Sequence, residues 1–66
     1  MMSQTKKVLA SKLGVTLVEV TLDGPGGLPL AKAYVVRRPD TPEIKNFDSH
    51  QLAEAHFNDV VRSLAG

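Results

Sequence analysis

Hydrophobic and polar positions alternate twice in the middle of the chain and then change period. In "VTLVEVTLD", residues 15–23, Val18, Val20 and Leu22 fall on one side, and Val15, Leu17, Glu19 and Thr21 on the other. That two-residue period, with its Val and Thr content, predicts a strand. "LAKAYVVRR", residues 30–38, predicts a second, with Leu30, Tyr34 and Val36 beside Lys32 on one face and Ala31, Ala33 and Val35 on the other. "PDTP" at 39–42 interrupts pairing, because proline lacks the N–H a ladder needs. "EIKNF", 43–47, reads as a short third strand.

From residue 48 the period becomes helical. Ala53, Phe57, Val60, Val61 and Leu64 form one stripe, with Glu54, Asn58 and Arg62 opposite. Asp48 is the expected N-cap, with Gln51 completing a capping box and Phe47 and Leu52 placed as a hydrophobic staple; Ser49 is the alternative cap one residue on. The opening segment, 3–14, is harder to read. Ser3 or Thr5 as cap, Val8, Leu9 and Leu13 as a short stripe and Gly14 as the terminating glycine predict a short helix. Lys6, Lys7 and Lys12 break the alternation a strand would show.

The expected fold is α+β: a three-stranded antiparallel meander with one C-terminal helix packed on one face and a short N-terminal helix. The 66 residues make one small domain, with 1–6 expected to be flexible. Val18, Val20, Leu22, Leu30, Tyr34, Val36 and Phe47 are expected to meet the helix stripe. Val15, Leu17, Ala31, Ala33, Val35 and Ile44 are then left on the back of the sheet. One helix covers one face, so this back face needs either the first segment or a second copy of the chain to cover it.

Length sharpens that need. A chain this short buries about 60% of its unfolded surface and usually requires a staple. There is no cysteine, which removes disulfides and thiolate zinc sites and leaves oligomerisation. Charge is balanced, eight Lys and Arg against seven Asp and Glu, so no polyanionic partner is demanded. No apolar run approaches the roughly 20 residues of a membrane span. "MMSQTKK" has no apolar core of a secretory signal, so a cytoplasmic protein is expected.

Three stretches invite a chemical reading. "LDGPGGLP", 22–29, is rich in glycine, but Leu28 and Pro29 stand where a phosphate-binding loop carries Lys and Ser or Thr, and a strand follows where a helix should. It reads as a hairpin loop. "DSH", 48–50, holds the letters of a hydrolase triad, yet three consecutive residues at a helix start point in different directions. His50 and His56 stand six apart, roughly 120° around a helix, so they do not share a metal, and His50 pairs more naturally with Glu54. No catalytic group, cofactor or metal is assigned.

The functional expectation is therefore a small non-enzymatic interaction module, self-associating as a homodimer through Val15, Leu17, Ala33, Val35 and Ile44, with another protein partner as a further option. The alternative is a nucleic-acid-binding regulator that uses Lys6, Lys7, Arg37, Arg38 and Lys45. It is weakened by the neighbouring Glu19, Asp40 and Glu43 and by the lack of an exposed aromatic ring for base stacking.

Overall fold

The computed structural model describes residues 3–66. It is an antiparallel sheet followed by one helix: β1 Ser3–Lys12, β2 Val15–Asp23, β3 Pro29–Arg37, β4 Ile44–Phe47 and α1 His50–Ala65. The strands lie in the order β1-β2-β3-β4. The α+β class, the meander and the C-terminal helix are as expected, but the sheet has four strands.

The extra strand is the segment expected to be helical. Leu13 and Gly14 form a two-residue turn, both with positive φ, 54° and 83°. That is the backbone of a tight hairpin, where Asn-Gly is the common sequence. Gly14 serves a hairpin here, although the same left-handed conformation ends helices. Alternation is lost in β1 because a bulge lies between Val8 and Ala10. Val8 pairs with Val18, whereas Ala10 pairs with Leu17, so the bulge turns both Leu9 and Ala10 towards the core. Residues 3–6 pair with Asp23 to Val20 within this strand; residues 1 and 2 lie outside the described range.

The glycine-rich stretch is a hairpin loop. Pro25–Gly27 make one 3-10 turn, Gly26 and Gly27 have φ of 76° and 77°, and the Gly24 N–H donates to the Leu28 carbonyl at 2.8 Å. Gly24 also packs so closely that an added Cβ would stand 2.8 Å from the Leu30 side chain.

The helix begins one residue later than the expected cap. Ser49 is the N-cap, its Oγ accepting from the Leu52 N–H at 3.5 Å. Leu52 is then the third helical residue, and Gln51 no longer stands where a capping box needs it. The staple from Phe47 is absent too, and Leu52 is exposed. The inward stripe is as read: Ala53, Phe57, Val60 and Val61 are buried, while Leu64 at the end is partly exposed.

The core consists of Val15, Leu17 and Val36 from the sheet under those four helix residues, with Leu9, Ala10, Tyr34 and Phe47 packed at its margin. The helix therefore covers only the half of the sheet near the Leu13–Gly14 turn. The rest of β1, β2 and β3 projects as an arm ending in the 24–28 loop, and the molecule is 46 Å long but only 20 by 16 Å across.

Candidate association face

Pairing register decides which side chains share a face, since residues directly opposite project to the same side. In β2 and β3, Leu17 faces Val36, Val18 faces Val35 and Val20 faces Ala33. Odd positions of β2 thus lie with even positions of β3. Val15 and Leu17, expected on the back, are instead core residues, 0% and 2% exposed. Val18, Val20 and Leu22, expected under the helix, occupy the back. A one-residue difference in register moves a whole strand to the opposite face, and alternation within a single strand does not specify it. Val8 of β1 joins the back by its pairing with Val18. Ala31, Ala33, Val35 and Ile44 lie on the back as read.

On the inner strands the back face is apolar from Leu22 and Ala31 to Val18 and Val35, with polar residues at its margins: Gln4 and Lys6 on β1, Thr16 and Arg37 at the head end and Asn46 on β4. From arm to head it carries Leu22 and Ala31, then Val20 and Ala33, then Val8, Val18 and Val35, and finally Ile44. Val8 is 60% and Ile44 48% exposed. β1 does not fold over this face; it pairs edgewise with β2. A shallow concavity of about 400 Å³ lies here. Its floor is Val18, Val20, Ala33 and Val35, and its rim is Gln4 and Lys6 on one side and Arg37, Ile44 and Asn46 on the other.

The opposite face differs wherever the helix does not reach it. There Thr5 stands opposite Thr21, Lys7 opposite Glu19, and Thr21 opposite Lys32; Leu30, expected under the helix, lies beyond its reach and is exposed. Lys32 reaches Glu19 at 3.9 Å, and the Thr5 hydroxyl donates to Asp23 at 3.2 Å. None of the chain's seven carboxylates projects from the back of the sheet: Glu19 and Asp23 belong to the helix-side face, and the others lie in the 38–43 loop, at the helix start or on the helix.

The five cations considered for nucleic acid do not converge. Lys6 and Arg37 are on the back; Lys7, opposite Glu19, and Lys45, opposite Val36, are on the helix side. Arg38 is engaged by Asp40 through two hydrogen bonds of 3.0 and 2.8 Å. That contact raises the Arg38 pKa and lowers that of Asp40, the hydrogen bond being the main cause for both. The aromatic rings near the surface are on the helix side as well: Tyr34 packs against His50 at 5.4 Å and Phe47 against His56 at 5.3 Å between ring centroids. His50 also reaches Glu54 at 3.6 Å, the i,i+4 pair expected from spacing.

Comparison with protein-family models, curated proteins and solved structures gives no match for the chain. Among the described residues no helix is long and apolar enough to cross a membrane.

Proposed function

We propose that this chain is a non-enzymatic association module that works through the apolar back of its sheet, and that it associates with itself. The supporting observation is the contrast on the two inner strands of the arm: the helix-side positions beyond the helix are Glu19, Thr21, Asp23 and Lys32, with Leu30 the one large apolar residue among them, while the back of the same strands is Val18, Val20, Leu22, Ala31, Ala33 and Val35, flanked on β1 by Gln4 and Lys6. Strand propensity alone would not sort residues by face. Strands of nine or ten residues spaced about 4.8 Å apart give the sheet face a footprint of roughly 30 by 15 Å, and the apolar positions occupy its middle. The residues of "DSH" have local roles, Ser49 as cap and His50 against Tyr34 and Glu54.

The sheet edges favour contact through the face. β1 is broken by its bulge and carries Lys6, Lys7 and Lys12, and β4 has only four residues; such features discourage edge-to-edge pairing. Nucleic-acid binding is the weaker reading, because the back offers two cations and no aromatic ring.

The test is the double variant Val20→Lys and Val35→Lys, examined by light scattering and circular dichroism. It is expected to be monomeric with its helix retained, while the parent is a dimer. A double variant with the parent's mass would refute the proposal.

A further inference from the structure

We infer that two copies pack back to back with their strands reversed, so that the arm of one lies over the helix-backed head of the other. The inference rests on the association reading above and specifies its geometry. Shape and charge on the back face each favour this orientation.

β4 ends at Phe47, opposite Tyr34, while β3 continues to Pro29. The lane beside Ala33 and Ala31 is therefore empty, and those two alanines add little height of their own. The arm has a notch on its back. At the head end the same two lanes are filled, Val35 beside Asn46 and Arg37 beside Ile44. Turning the second copy end for end sets Ile44 and Val35 of each protomer over the notch of the other. The contact is reciprocal, as a two-fold interface requires. It also interleaves bulky with small side chains, which is how packed layers reach interior density.

Charge excludes the other orientation. Arg37 is on the inner strand β3 and projects from the back. If the strands of the two copies ran the same way, two-fold symmetry would place both Arg37 side chains roughly one strand spacing apart, about 5 Å, on a face without a carboxylate. Reversal sends them to opposite ends of the assembly. Each then lies at the arm tip of the other protomer, at the solvent-open end of the contact. Lys6 is on the outermost strand, so its amine reaches water in either orientation.

The absence of cysteine permits a direct test. Leu28→Cys places one nitroxide label at the arm tip, on a residue 69% exposed and outside the face. In the reversed dimer the two tips lie at opposite ends. Double electron–electron resonance is then expected to give a separation of about 35–40 Å from strand rise and sheet spacing, against a protomer length of 46 Å. A separation below about 20 Å would mean arm over arm, overturning the orientation while leaving self-association intact. A monomer would overturn both. As a second measurement, Ala33→Leu fills the notch and is expected to raise the dimer Kd at least about tenfold with helix content unchanged. An unchanged Kd would contradict the fitted notch.

Discussion

The two faces of this sheet bury their apolar residues by different means. On the helix side, burial is completed within the chain: Val15, Leu17 and Val36 are closed over by Phe57, Val60 and Val61, and beyond the helix the face is polar apart from Leu30. On the back, apolar positions continue from Leu22 to Ile44, and among the described residues no segment folds over them. The first face shows what folding requires of the chain. The second is the face that the proposed association would use. The faces therefore differ in which mutations should matter to folding and which to assembly.

The largest expected effect separates them. Leu17→Ala should cost about 2–5 kcal/mol, enough to unfold much of a domain this small, because the helix-side core cannot collapse around the missing atoms. Val20→Ala should cost under about 1 kcal/mol in urea unfolding at low protein concentration, where the dimer is dissociated, and more as concentration rises. Equal, concentration-independent costs would erase the distinction between the faces.

Changes outside both faces should alter folding without altering association. Ser49→Ala removes the oxygen that accepts from Leu52 and should cost about 1 kcal/mol. Leu13→Asn should stabilise by up to about 1 kcal/mol, since Leu13 holds a left-handed conformation that Asn tolerates better. Denaturation midpoints should move in both variants, and the Kd in neither. A shift in Kd would mean that the Leu13 turn takes part in the contact.

The smallest effect concerns pH. Arg38 holds the Asp40 carboxyl below its ordinary pKa. A depressed carboxylate contributes stability above its unfolded pKa, and that contribution is lost as pH falls through the folded value. Both side chains are exposed to solvent, so Asp40→Asn should change the neutral-pH melting temperature by no more than about 1–2 °C. A larger fall would mean that the pair anchors the 38–43 loop more firmly than a surface ion pair does.

The sequence revealed strands where alternation was uninterrupted and a helix where its stripe was complete. β2, β3 and α1 were legible for that reason, and so was the hairpin loop at 24–28, where proline and glycine constrain the backbone directly. β1 was hidden twice over. Its bulge sets Val8 on one face and both Leu9 and Ala10 on the other, which erases the period, and its turn uses Leu13 where Asn would have signalled a hairpin. The candidate face was legible in part. Ala31, Ala33, Val35 and Ile44 lie where the pattern put them, because β3 and β4 were read in their observed register. Val15 and Leu17 changed places with Val18, Val20 and Leu22. An alternating strand that is apolar on both sides gives no signal of which side faces the core; the 24–28 loop sets that through the register it imposes.

The most direct measurement is sedimentation equilibrium of the unaltered chain across concentration at low and high salt. A dimer that persists or tightens at high salt is expected if apolar burial drives the proposed association. A monomer at every concentration, or a dimer that dissociates as salt rises, would contradict it.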